Sequence, residues 1–143
     1  WAAIRAVKEA VSIPVIANGD LCEPDELATM LDQSGADGVM IGRGAYGRPW
    51  LPGHMVAFAR SGAMPSSPSD AELQAIVGRH SAAIVDQYGP WVGVKVARKH
   101  LGWYLAVIDA TDDVRRAVMT EVRPDVVHRL IETAFAVNAR RAA

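Results

Sequence analysis

The sequence predicts an α/β segment followed by an all-α segment. Three observations carry that prediction. Two short apolar runs, 13–17 and 39–41, lie about 25 residues apart with a helical pattern between them, the spacing of a βαβ unit with parallel strands. Each run ends directly in a glycine-bearing turn. Beyond residue 70 there is no strand pattern, and the apolar spacing becomes wholly helical.

Residues 1–11 read as an amphipathic helix through Ile4, Val7 and Val11. The chain opens inside an element, at Trp1 and without a basic-then-apolar leader, so it is expected to be the C-terminal piece of something longer. Ile13-Pro14-Val15-Ile16-Ala17 is the first strand, with Pro14 at its entry, and Asn18-Gly19-Asp20 closes it. Pro24 suits the first turn of a second helix that runs to about Gln33. After the turn cluster Gly35-Ala36-Asp37-Gly38 comes the strand Val39-Met40-Ile41, closed by Gly42-Arg43-Gly44. Both strands are expected to be buried on two faces. A further helix follows Pro49.

Residues 62–69 are a linker by composition, separating an α/β region at 1–61 from a helical region at 70–143. Ser69 and Glu72 form a capping-box pattern. Helices are expected at about 70–88, 91–108, 112–121 and 125–140, with Thr111 capping the third and Pro124 opening the fourth. Packed as two antiparallel pairs, they would bury Leu73, Ile76, Val77, Ile84, Val94, Val96, Leu101, Leu105, Val118, Val127, Leu130, Ile131 and Phe135.

Composition narrows the function. Half of the 143 residues are hydrophobic and 22% are charged, which excludes general disorder. No apolar run reaches the ~20 residues of a membrane helix. Fifteen Lys and Arg against 16 Asp and Glu exclude a globally basic nucleic-acid binder, so any such role must come from a local patch. One cysteine, Cys22, excludes an internal disulfide framework and fits a cytoplasmic protein. His54, His80 and His128 lack ligand-spaced partners, so no metal site is expected.

Adjacent parallel strands put their two closing turns on one rim. Glycine lets backbone N–H groups converge on an anion there, and in (β/α)8 barrels the loops after the seventh and eighth strands commonly build a phosphate site. The turns thus read as the last two loops of such a barrel. On spacing alone, they equally suit plain tight connections, with Asp20 in an Asx turn and Arg43 in a surface ion pair. In the helical half no acidic residue occurs from Gln87 to Ile108, and Lys95, Arg98 and Lys99 share one helical face beside His100. That face reads either as a solvated stripe or as a phosphate-backbone contact. Trp91, Trp103 and Tyr104 are expected to be packing residues.

Three motifs together carry a resemblance. Pro14-Val15-Ile16-Ala17-Asn18-Gly19-Asp20, then Gly35-Ala36-Asp37-Gly38-Val39-Met40-Ile41-Gly42-Arg43-Gly44-Ala45-Tyr46-Gly47-Arg48-Pro49-Trp50 and Val94-Lys95-Val96-Ala97-Arg98-Lys99-His100-Leu101-Gly102-Trp103-Tyr104 resemble, in order and spacing, the C-terminal part of bacterial tRNA-dihydrouridine synthases. The resemblance implies the last two βα units of a TIM barrel followed by a helical tRNA-binding domain. It implies an FMN flavoprotein that reduces the C5–C6 double bond of tRNA uridines with NADPH. The FMN phosphate and ribityl region would fall to Asn18, Gly19, Asp20, Gly42 and Arg43, and tRNA to Lys95, Arg98 and Lys99. No catalytic residue is expected in this chain, because the family's proton-donating cysteine lies on an earlier loop and Cys22 does not match its motif. The chain alone is therefore expected to be inactive and to bind FMN weakly at most. Where relatives carry Ser or Thr before the helix-opening proline, this chain has Glu23, a poorer cap. Two other readings stand beside this one: another flavin- or nucleotide-phosphate-binding barrel oxidoreductase, and a non-enzymatic RNA-binding helical module.

Overall fold

The computed structural model describes residues 1–142; Ala143, the last residue of the expected helical region, lies outside the described residues. The chain divides into two compact units, Trp1–Ser66 and Ser67–Ala143.

In the first unit, helix α1 (Ala2–Ala10) precedes strand β1 (Ile16–Ala17), helix α2 (Glu26–Ser34) and strand β2 (Gly38–Val39). A 3-10 turn (Arg43–Ala45) and helix α3 (Leu51–Ser61) follow. The strands pair in parallel with Ile16 opposite Gly38 and Ala17 opposite Val39, and α2 makes the crossover between them. The strands are shorter than the apolar runs, and Pro14, which has no N–H to donate, stays outside the ladder. Asp37 extends the alignment instead: its N–H donates to the Val15 carbonyl, and its carboxylate accepts from the Val15 N–H at 2.7 Å.

The core of this unit comprises Ala17, Leu21, Leu27, Met30, Leu51 and Met55, with Trp1, Ile4 and Val39 packed at its edge. Burial on both strand faces is not observed. Ile16 is 57% exposed and Met40 47% exposed, because helices cover the two strands on one side only. Helix α1 buries no residue outright, and Val7 and Val11 face solvent.

Helix α2 begins at Glu26, two residues after Pro24. Its entry is secured without a Ser or Thr cap. The Glu26 carboxylate turns back to accept the backbone N–H groups of Cys22 and Glu23, at 3.2 and 3.1 Å. Glu23 is thus relieved of the capping duty for which it is poorly suited, and its carboxylate instead meets Arg48 at 2.8 Å. Gly35 ends the helix in the left-handed conformation.

The second unit is helical: α4 (Asp70–Val107), α5 (Asp112–Thr120) and α6 (Pro124–Ala142). Ser69 and Glu72 close the expected capping box. Thr111 stands at the N-cap of α5 but makes no side-chain cap bond. Helix α4 is two helices, α4a (70–88) and α4b (90–107), because Gly89 adopts φ 74° and ψ 163° and Pro90 cannot continue the ladder. The chain folds back there. Gly93 lies so close to α4a that a Cβ would stand 2.6 Å from the Val85 Cα, and His80 comes to lie beside His100 and Tyr104. The hairpin packs on α5 and α6 over Leu73, Val77, Leu101, Leu105, Val118 and Phe135. Ile76, Val96 and Leu130 of the expected core are only partly covered. No described helix is long and apolar enough to cross a membrane.

Candidate functional sites

Parallel pairing sends both strands in one direction, so the turns that close them share a rim. A salt bridge joins those turns: Arg43 Nη2 donates to both carboxylate oxygens of Asp20, at 2.6 and 2.8 Å. Both side chains remain exposed, at 73% and 65%. Asp20 holds φ 53°, a conformation that aspartate tolerates better than most residues. The Gly19 carbonyl accepts the Trp1 indole N–H at 2.5 Å, and Asn18 is exposed beside it.

The rim is open at Gly42, where a Cβ would meet nothing within 4 Å. It is closed at Gly44, where a Cβ would stand 2.3 Å from the Leu21 carbonyl oxygen. The second turn therefore rests directly on the backbone that continues the first. Arg48, for which residue spacing suggests no role, fastens this contact. Its guanidinium donates to the carbonyls of Cys22 and Gly44, at 3.0 and 3.2 Å, and to the Glu23 carboxylate. Cys22 is half-buried with a free thiol, and its backbone rather than its sulfur makes these contacts.

The residues present fit an anionic, hydroxylated group. Arg43 offers an exposed guanidinium, a natural partner for phosphate oxygens. The first N–H groups of the 3-10 turn have no acceptor within the turn. Asp20 offers an acceptor for a hydroxyl, and the bare Gly42 position leaves room for close approach. Below the rim, Asp37 is pinned by Lys8 at 2.7 Å. That hydrogen bond, followed by the one from the Val15 N–H, holds its carboxyl below the usual range.

In the helical unit, α4b carries the acid-free stretch. Lys95 and Lys99 are exposed, and Arg98 is half-buried and engaged with a neighbouring helix. Its Nη2 donates to the carbonyls of Thr120 and Glu121, at 3.4 and 3.1 Å, and its Nε is buried without an acceptor. Helix α5 has no basic residue in its last turn, so Arg98 supplies that charge from a neighbouring helix. The aromatic residues also divide. Tyr104 is buried and Trp103 half-buried, as packing requires, whereas Trp91 is 70% exposed, against expectation. Lys95 Nζ lies 5.5 Å from the Trp91 ring centroid, and Lys99 Nζ lies 5.2 Å from that of Trp103.

The hairpin encloses a polar cluster that helical periodicity alone does not predict. His80 Nδ1 is 2.9 Å from the Tyr104 hydroxyl, and the His80 and His100 rings are 4.7 Å apart. Burial, then the nearby His80 and Lys99, pushes the His100 pKa down, and burial pushes Tyr104 up. The signal was the break at Gly89-Pro90, which brings position 80 against 100 and 104. Among the described residues, no group of three or more His, Cys, Asp or Glu could hold a metal ion.

Fold and turns together define an α/β protein with a helical extension. The chain belongs to the dihydrouridine synthase family, whose sequence model matches residues 1–140. It is 49% identical over 118 residues to a probable tRNA-dihydrouridine synthase of Rickettsia conorii, covering 82% of this chain and 36% of that protein. A probable tRNA-dihydrouridine synthase of Rhodobacter capsulatus is 44% identical over 135 residues, 94% of this chain and 41% of its own length. The tRNA-dihydrouridine synthase B of Pseudomonas putida is 46% identical over 103 residues, 72% of this chain and 31% of its own length. The chain thus spans well under half the length of these relatives.

Proposed function

We propose that this chain forms the last two βα units of a (β/α)8 barrel and the helical tRNA-binding domain of a cytoplasmic tRNA-dihydrouridine synthase. The whole enzyme reduces the C5–C6 double bond of particular uridines in tRNA with electrons from NADPH. When bound, FMN supplies the hydride chemistry. The tasks of this chain are binding and orientation. The Asn18 amide, the backbone at Gly19 and Gly42 and the Arg43 guanidinium hold the phosphate and ribityl region, and Asp20 accepts from a ribityl hydroxyl. Lys95 and Lys99 meet tRNA phosphates. Arg98 contributes by fixing α5 against the helix that carries them.

The observation that supports this reading is the bridge of Arg43 to Asp20, which links the turns that parallel pairing places on one rim. The test is flavin retention by the full-length protein that contains this chain. Arg43→Ala is expected to lose flavin during gel filtration under conditions where the unsubstituted protein keeps it. Equal retention would remove the rim from the cofactor site.

A further inference from the structure

Trp91 is the least covered of the exposed large apolar side chains, at 70%, and it stands at the start of α4b. An indole left in water contributes little to folding. It is nevertheless ordered in a pattern. Positions 91, 95, 99 and 103 fall at successive i, i+4 steps and so form one stripe along the helix. The stripe reads Trp, Lys, Lys, Trp. Each lysine lies over the neighbouring ring, Lys95 over Trp91 at 5.5 Å and Lys99 over Trp103 at 5.2 Å. The two ends differ. Trp103 is half-buried and meets the His100 ring edge-on at 5.2 Å, so it anchors the stripe. Trp91 has an exposed ring at the open end, and Tyr88 and Val92, close to it in sequence, are also exposed.

We propose that Trp91 is a stacking platform for an unpaired base of the bound RNA, with Lys95 beside it to take the adjoining phosphate. The inference rests on the RNA-binding reading of this unit and extends it to a residue that charge alone does not single out. A base offers the flat, polarizable face that an exposed indole can cover, whatever its sequence. The phosphate that follows it in the strand requires a cation nearby. Lys95 is one helical turn from Trp91, about 6 Å along the axis, and already lies over the ring. The absence of acidic residues from Gln87 to Ile108 leaves nothing on this helix to repel the strand.

The test uses the full chain, with Trp91→Ala, Trp91→Phe and Lys95→Gln, each checked for an unchanged circular dichroism spectrum and melting. Ligands are a tRNA transcript, a single-stranded RNA oligonucleotide and an RNA duplex of equal length. Trp91→Ala is expected to weaken tRNA and single-strand binding by about 5- to 100-fold and to leave duplex binding within about twofold. Trp91→Phe should recover part of the loss. The salt slope should fall by about one for Lys95→Gln and stay unchanged for Trp91→Ala. Quenching of tryptophan fluorescence on RNA addition should be reduced in Trp91→Ala. Unchanged affinity in Trp91→Ala, while the unsubstituted chain binds tRNA, overturns the stacking role alone. Equal losses for single strand and duplex also overturn it, because Trp91 would then only position Lys95. Absence of tRNA binding by the unsubstituted chain at low salt overturns the RNA reading, and the inference with it. If Trp91→Ala impairs binding to phosphatidylglycerol vesicles and not to RNA, the tip belongs to a lipid surface and the proposal fails.

Discussion

Arg98 is the residue at which position on a helical face and actual geometry part company, and its removal separates two kinds of consequence. Its guanidinium serves the C-terminal carbonyls of α5 through bonds of 3.1 and 3.4 Å. Hydrogen bonds from a charged donor contribute about 1.5–3 kcal/mol, and these distances belong at the lower end of that range. A cation at a helix C-terminus adds about 0.3–1 kcal/mol. Against this stands the buried Nε without an acceptor, whose desolvation cost disappears when the guanidinium is removed. The net expectation for Arg98→Met, which keeps an apolar stem, is a destabilisation of about 1–2 kcal/mol. For a unit of this size each kcal/mol lowers the melting temperature by about 4–8 °C. Lys95→Ala, at an exposed position, should stay within about 0.5 kcal/mol of the unsubstituted chain. Binding to tRNA at several salt concentrations gives the complementary reading. Lys95→Ala should reduce the salt slope by about one, and Arg98→Met should leave it unchanged at temperatures where it is folded. Melting of Arg98→Met together with the unsubstituted chain, combined with a lost unit of slope, would overturn this division of roles.

Gly44→Ala places a Cβ 2.3 Å from the Leu21 carbonyl oxygen, so the backbone of one turn must move. It should destabilise the first unit by about 1–3 kcal/mol in thermal denaturation, whereas Gly42→Ala, which meets open space, should cost far less. The helical unit should lose stability on mild acidification. His100 has a folded pKa below its unfolded value, so the unfolded chain binds more protons as pH falls past the ordinary histidine range near 6.5. The loss should develop between that range and the lower folded pKa, and His100→Gln should flatten it in melts taken at successive pH values. Glu121 has its pKa lowered to about 2, first by the Arg123 side-chain hydrogen bond and then by the Arg123 and Val122 N–H groups. Its stabilising contribution is present above about pH 4.5 and lost as pH falls toward 2, and a carboxyl NMR titration should find that midpoint.

Much of the fold was legible because its markers are local. Apolar runs closed by glycine turns located β1 and β2, and Ser69 with Glu72 located the start of the helical unit. Gly89-Pro90 broke the longest helix where the pattern predicted. Strand burial was not legible, because it depends on what covers each face rather than on the strand's own residues. Arg48, the Glu26 cap and the His80–Tyr104 contact each involve backbone or side-chain partners that periodicity does not encode. For Lys95, Arg98 and Lys99 the spacing gave one face correctly, but a helical face can turn part of itself toward a neighbour. Helix α5 lies where it captures Arg98. Trp91 is not a packing residue: it directly follows the Gly89-Pro90 break and stays 70% exposed, a placement that helical spacing does not encode.

The rim joined by Arg43 and Asp20 is proposed to receive the phosphate end of a flavin. FMN and riboflavin, which lacks only the phosphate, separate that contact from those made to the rest of the flavin. In the full-length protein, Arg43→Ala should weaken FMN by about tenfold or more and leave riboflavin affinity within about twofold. Equal weakening of both flavins, or of neither, would exclude a phosphate contact at this rim.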